Sequence, residues 1–386
     1  MTSQLPVLPA YINDLGGTTQ QVGWVMGCFA IGLLFSRTWV GSLADRHSRK
    51  IVLLIGTAVA GIAPVGYYFV SSIPLLMVLR AFHGISIASF TTGYSTLVID
   101  FAPDKQRGEL IGYMTLAVPI GMSVGPALGG LLQETYGYGT LFLVSSGCGF
   151  FALSLGSLVG EKRREGLGRD TAVEPHRSIW EMLRSPSLMV PTGILLSIGL
   201  LFGTLVAFLP LFLRESGVDF SAGLFYTAAA LASFSLRIFV GKISDKIGRG
   251  LFITGSLICY GISMVILAST QTSNGFLLAA ILEGMGSGLL IPMMLALMSD
   301  RSYTNERGRV TSFCIGGFEL GIALGGPILG SITFLTYRHR FYIAAGFALI
   351  GLVLFLTRSG KSLGRSLRFA LGRSKDSYQL PVTSDQ

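Results

Sequence analysis

Four ionisable residues stand inside long apolar stretches, where a water-soluble chain rarely puts them: Arg80 in LLMVLRAFHG, His83 just beyond it, Glu283 in AAILEGMG and Glu319 in GGFELGIALGG. A cation at the depth of Arg80 costs roughly 2.5–3.5 kcal/mol to place in a bilayer unless it faces a cavity or a partner, which makes it a functional candidate; a snorkelling or internally paired arginine is the plainer alternative. An acid near the middle of a span, as Glu319 is, has the placement that a proton carrier needs, against the plainer account of a neutral Glu bonded between helices. Glu283 is the second such acid, and His83 is either a further titrating group or a hydrogen-bonding substitute. No nucleophile–base pair accompanies them, so an enzyme is not expected. Cys28, Cys148, Cys259 and Cys314 each lie alone in an apolar stretch and read as small buried hydrophobes. The four histidines are scattered, so neither a metal nor a cofactor is expected.

The elements that must hold these residues are membrane helices. The chain has 386 residues, 51% hydrophobic and 13% charged, with 51 glycines and a mean hydropathy of +0.63. That is the makeup of a polytopic membrane protein whose helices pack closely through glycine. A helix rises about 1.5 Å per residue, so roughly 20 apolar residues cross the hydrocarbon. Eleven stretches, from 21–40 to 341–357, reach that length, including 109–132 and 139–159 as separate spans. Leu5 to Ile12 is too short to span. It is expected to be the far end of a first helix that is mostly missing, a start assigned too late being favoured over a helix lost by half.

The chain repeats itself. GSLADRHSRK, Gly41 to Lys50, returns as GKISDKIGRG, Gly241 to Gly250, and the same offset relates Arg37 to Arg237, Gly84 to Gly284, Asp100 to Asp300, Arg107 to Arg307, Gly121 to Gly321 and Gly130 to Gly330. An internal duplication of six-helix halves accounts for this register. The expected organisation is an N-terminal half-bundle over 1–159, a polar linker over 160–187, a C-terminal half-bundle over 188–357 and a basic tail over 358–386. Most of the 29 basic residues fall in alternate loops, the linker and the tail. Those segments are therefore expected on the cytoplasmic side of a cell membrane, with the C-terminus there as well, and Arg338–His339–Arg340 as the local exception. The net charge of +9 belongs to these loops and marks no nucleic-acid partner. Ile179, Trp180, Met182 and Leu183 are expected to form a short interfacial helix. The tail beyond Arg358 is expected to lie on the anionic leaflet and then lose order.

In each copy of the loop, Gly-x-x-x-Asp lets a neighbouring helix come close and sets a carboxylate where it can meet an arginine or a helix N-terminus. A contact of that kind can form in one conformation and break in another; a turn that only fixes topology is the alternative. In GMSVGPALGG, Gly121, Gly125, Gly129 and Gly130 make a smooth helix face that Pro126 bends.

The loop pattern G-x-x-x-D-R-x-x-R-K and its repeat resemble the signature between spans 2 and 3, and 8 and 9, of the major facilitator superfamily, and the resemblance covers essentially the whole chain. It implies two six-helix halves around a central cavity, with alternating access by rocking. It also implies a conformational latch: Gly41, Asp45, Arg46 and Arg49, with Asp100 and Arg107 as companions, and Gly241, Asp245, Lys246 and Arg249 in the second copy. The first copy departs from the family pattern, having His47–Ser48 where a Gly is common. Leu79 to Gly84 resembles the span-4 motif whose arginine, here Arg80, is linked to proton coupling. Gly121 to Gly130 resembles the span-5 signature of the drug:proton antiporter branch. The expected function is thus proton-coupled efflux of a small organic or amphipathic compound by a monomeric carrier, with Arg80 as electrostatic partner of Glu319 or Glu283. Phe82, Tyr94, Tyr113, Phe208 and Phe225 are candidates for the cavity wall. An importer of a sugar or other nutrient in the same fold, and a membrane sensor or scaffold that transports nothing, are the alternatives.

Overall fold

The computed structural model describes residues 2–101, 117–160, 181, 185–302, 307–360 and 362–373. Arg107, Tyr113 and the expected interfacial helix of the linker lie outside the described residues, as do the side chains of Asp45, Arg46, Asp100, Asp245 and Lys246 and the surroundings of Gly241. A 3-10 turn, Thr2–Gln4, opens the chain, followed by α1 (Leu8–Asp14), α2 (Thr19–Arg46), α3 (Arg49–Phe69), α4 (Ile73–Phe101) and α5 (Ala117–Leu158). The second half holds α6 (Pro186–Ser216), α7 (Ala222–Ile247), α8 (Arg249–Ser269), α9 (Ser273–Asp300), α10 (Arg307–Ser331) and α11 (Tyr337–Arg358), and α12 (Leu363–Ala370) follows. Among the described residues nine helices are long and apolar enough to cross a bilayer. One of these is α5, which contains two of the expected spans in two limbs; Gly137, at φ 82° and ψ 178°, breaks it where only glycine fits without strain.

Local chemistry ends and starts the helices. Thr18 and Gln21 form a reciprocal capping box at the head of α2. The two copies of the loop turn by different means. Ser48, in extended backbone, accepts from the amide of Ile51 to cap α3, whereas Gly248 makes the equivalent turn into α8 with φ 102°. The departure in the first copy therefore exchanges a left-handed glycine for a side-chain cap.

Within each half the helices pair alike. α2 packs on α4, α4 on α3 and α3 on α5; correspondingly α7 packs on α9, α9 on α8 and α8 on α11. A Cβ on Gly84 would strike the backbone of Phe29 and Leu33, and one on Gly284 would strike Ala229, so the duplicated glycines hold duplicated close contacts. The face of Gly125 and Gly129 packs against Thr2 and Ser3, and the carbonyl of Gly121 accepts from the Thr2 hydroxyl at 2.8 Å.

The most extensive contacts between the halves are those of α2 with α10 and of α5 with α7, while α1 and α2 also touch α6. The first two are copies of one another. Gly23 lies on Gly326 and Pro327, and Gly223 lies on Pro126 and Ala127. Further bonds between the halves run from Gln20 to Ser331 at 3.3 Å and from Thr227 to the carbonyl of Ser123 at 2.9 Å. All of them gather at the end of the bundle opposite the basic loops.

The start of the tail is tied to the bundle. α12 turns Phe369 and Ala370 into the protein, with Phe369 on Phe355 at 5.8 Å and the Ala370 carbonyl accepting from Thr254 at 2.9 Å. Leu363, Arg365, Leu367 and Arg368 stay exposed on its other face. The helical period explains this: Ser366, Phe369 and Ala370 form the narrow stripe that the ends of α8 and α11 bury.

Gly84→Val is expected to cost about 1–3 kcal/mol through overpacking, while Gly121→Ala, with no atom within 4 Å of the added Cβ, changes stability by under about 0.5 kcal/mol. Thermal unfolding of both variants in detergent checks this; equal losses would contradict the packing described.

Candidate functional site

α2 and α10 approach through small residues, Gly23 and Gly27 on one side and Ala323, Gly326 and Pro327 on the other. Further toward the basic loops the same two helices carry Arg37 and Glu319, and these form an ion pair between the halves. Glu319 is 6% exposed, its second oxygen has no hydrogen-bond partner, and neither has Nε of Arg37. Glu319 thus meets Arg37 and not Arg80, because α4 faces α2 and α3 within its own half. The repeat does not supply a second such pair. Position 119, the counterpart of Glu319, is proline, and Arg237, the counterpart of Arg37, donates Nε to the carbonyl of Gly288 at 3.0 Å.

Arg80 is buried inside the N-terminal half, with its guanidinium 4.4 Å from the centroid of Phe29. The edge of the Phe29 ring meets His83 at 5.6 Å, and His83 Nδ1 is 3.0 Å from the hydroxyl of Tyr67. Among the described residues no carboxylate pairs with Arg80. Its positive charge is instead held by the face of an aromatic ring.

Glu283 occupies the counterpart of His83 and is equally enclosed, at 4% exposed. Tyr226 and Tyr260 lie within electrostatic range of it. Its Oε1 and the hydroxyl of Tyr226 are both buried without hydrogen-bond partners. Each half therefore holds one titratable group at the same repeat position, set among tyrosines, and the structure keeps both away from the ion pair between the halves.

The latch residues are partly visible. Arg249 pairs with Asp300, joining the start of α8 to the end of α9, and Arg49 donates to the carbonyl of Thr96 at 3.0 Å, joining α3 to α4. Among the described residues nothing lies within 4 Å of a Cβ built at Gly41. Pro126 and Gly130 do serve the interface between halves, both lying against Gly223.

Among the candidate wall residues, Phe82 and Tyr94 are half-buried, Tyr94 being stacked on Phe90 at 5.2 Å. Phe208 and Phe225 are fully buried in the core instead. Phe208 lies under the guanidinium of Arg340 at 5.2 Å, and Phe225 packs against Tyr226 at 6.0 Å. Large apolar rings at such positions serve helix packing. Arg340 also donates to the carbonyls of Leu329 at 3.0 Å and Ile332 at 3.2 Å. Arg338 donates to Ala268 at 3.1 Å. The exceptional basic cluster thus neutralises carbonyls at the ends of α10 and α8.

Sequence reasoning missed a second bridge between the halves. Asp14, at the end of α1, accepts from Nη1 of Arg214 at 2.9 and 3.2 Å and from the hydroxyl of Tyr138, to which Arg214 Nη2 also donates at 3.0 Å. Asp14 and Arg214 are counterparts under the repeat. Opposite charges at one duplicated position were the signal, since a two-fold-like relation brings such positions near its axis.

A profile of the Major Facilitator Superfamily matches residues 1–302 and again 252–375. The chain is 27% identical over 339 residues to the multi-drug resistance efflux pump PmrA of Streptococcus pneumoniae, covering 85% of this chain and 84% of that protein. To the multidrug resistance protein MdtG of Escherichia coli it is 26% identical over 363 residues, 90% and 88% of the two chains. The crystal structure of the nucleoside transporter NupG superposes with a TM-score of 0.74 at 14% identity, over 92% of this chain and 95% of that one. The two glycine-lined seams between duplicated half-bundles and the profile match together place the chain in the Major Facilitator Superfamily as a membrane transporter.

Proposed function

We propose that the chain is a proton-coupled exporter of small organic or amphipathic compounds, working as a monomer across the cytoplasmic membrane by alternating access. The observation that carries this reading is the Arg37–Glu319 pair, whose carboxylate is buried, the one described acid–base contact between the halves that lies well inside the bundle. The likeness to PmrA and MdtG supports efflux as the direction.

In this reading the conformation seen is sealed at the end opposite the basic loops, and compound enters from the basic-loop side, the cytoplasm. Charged Glu319 holds Arg37 and so ties α2 to α10. With that end open, a proton from the far side neutralises the carboxylate; the halves close again around the neutral acid, and loss of the proton to the cytoplasm re-forms the pair with Arg37. Protonation and compound thus act on opposite steps of one cycle, which is what antiport requires. The mirrored clusters around His83 and Glu283 hold each half rigid as the halves rock, and the Arg249–Asp300 and Arg49–Thr96 contacts fix the loop ends to the same bodies.

Uptake of ethidium into everted vesicles tests the coupling. An acid-inside gradient is expected to drive accumulation, and Glu319→Gln to reduce the driven part by about tenfold or more, equivalent to at least about 1.4 kcal/mol, while exchange without a gradient persists. Driven uptake that is unchanged in Glu319→Gln, or accumulation only in right-side-out vesicles, would overturn the proposal.

The pair also predicts non-additive stability. Arg37→Ala strands a buried carboxylate and is expected to cost about 1–3 kcal/mol, whereas adding Glu319→Gln to it restores most of the loss, since no lone charge is left. Thermal midpoints of the two singles and the double variant measure this; a double variant less stable than Arg37→Ala alone would count against a paired, shielded Glu319.

A further inference from the structure

A hollow between the halves lies at the sealed end, beside the Asp14–Tyr138–Arg214 bridge. It encloses about 410 Å³ and is walled by residues 6–10 and 130–134 of the first half and 210–223 of the second. That volume falls in the range of roughly 300–1,000 Å³ typical of sites for drug-sized molecules. Its walls are apolar at Val7, Leu213 and Phe220, and it carries two carboxylates, Glu134 and Asp219. Neither carboxylate has a hydrogen-bond or ion-pair partner among the described residues, whereas Arg214, the one cation in the lining, is already taken by Asp14 and Tyr138. The hollow thus presents an uncompensated double negative charge over an apolar floor.

We propose that this hollow is a binding site for organic cations of drug size, entered from the end opposite the basic loops, and that an occupant inhibits transport. The chemistry selects the ligand: a delocalised cation loses little hydration, meets the two exposed carboxylates and lies against the partly open Val218 and Ala222. The placement gives the consequence. Both halves supply wall, so rocking that opens this end pulls the site apart, and a ligand that binds only the assembled site stabilises the sealed state by its own binding free energy. The inhibitory consequence rests on the transport reading above; the binding itself does not.

The test uses the whole chain in lipid nanodiscs without any gradient, with tetraphenylphosphonium as probe and tetraphenylborate as its anionic counterpart of the same shape. Tetraphenylphosphonium is expected to bind and tetraphenylborate to bind far more weakly. The Glu134→Gln/Asp219→Asn double variant is expected to raise the Kd for the cation by about tenfold or more, as loss of two carboxylates implies. A short bifunctional thiol cross-link between Gln20→Cys and Ser331→Cys, positions whose native side chains bond at 3.3 Å across the seam, locks the end shut and is expected to preserve or tighten binding. An unchanged Kd in the double variant, equal binding of the two probes, or loss of binding in the locked protein would each overturn the proposal. Because no gradient is present, failure here is separable from failure of proton coupling, which shows in the vesicle assay. A double variant whose thermal midpoint matches the parent excludes misfolding as the cause of weaker binding.

Discussion

The structure depends on backbone lying against backbone at two mirrored seams. Gly23 beneath Gly326 and Pro327, and Gly223 beneath Pro126 and Ala127, let α2 reach α10 and α5 reach α7 with no side chain between them. In lipid there is little hydrophobic drive for helices to associate, so close packing of small residues, backed by a few polar bonds, carries the association. Such seams are strong in van der Waals contact and weak in directional bonding, which suits surfaces that must slide. The prolines sharpen the arrangement. Each removes a helix hydrogen bond at the contact.

On this symmetric frame the chemistry is unsymmetric. The duplicated position that is His83 in one half is Glu283 in the other, and Asp14 is answered by Arg214. Arg37 finds an acid across the seam, while Arg237, among the described residues, meets the carbonyl of Gly288, the counterpart of Glu319 being Pro119. A carrier with two identical seams has no reason to favour one over the other during rocking. Among the described residues the Arg37–Glu319 pair makes the α2–α10 seam sensitive to charge, while the α5–α7 seam is held by packing and by bonds that include Thr227 to Ser123. The two bridges also differ in setting. Asp14 and Arg214 are both about two-fifths exposed, so the outer bridge is screened and worth little, whereas Glu319 is shielded and its pairing counts for more.

Much of this was legible in the sequence, for physical reasons that differ from residue to residue. The spans were readable because a bilayer demands a fixed apolar length, and the duplication because packing glycines such as Gly84 and Gly284 keep their register. Arg80 and Glu319 announced themselves as charges in apolar surroundings. Their partners did not. Arg80 rests on Phe29, one aromatic among many, and Glu319 meets Arg37 across a distance in sequence that no local pattern reports. Arg37 itself looked like the end of a span, since a long side chain on the last turns of a helix normally reaches for water. The aromatic wall was the least readable part. Phe208 and Phe225 show the same composition whether they line a cavity or fill a core, and the structure puts both in the core. For α12 the alternation of leucine and arginine fitted a leaflet surface; it was the buried Ser366–Phe369–Ala370 stripe that tied it to α8 and α11.

The placement of Glu319 sets how a proton would be felt. An acid left ionised and alone in a shielded site is costly by several kcal/mol, and a partner cation removes most of that cost only while it stays in contact. Separation of α2 from α10 therefore works against the charge as long as Glu319 is ionised. A protonated Glu319 owes nothing to Arg37, and the same separation then costs little more than the packing of the seam. Arg37, a third exposed at its side chain, has water within reach once released, so the cation is not stranded in turn. In the proposed cycle the asymmetry in exposure between the two partners would make the pair a switch and not merely a tie: one member would have to be neutralised to leave, and the other only to turn toward solvent.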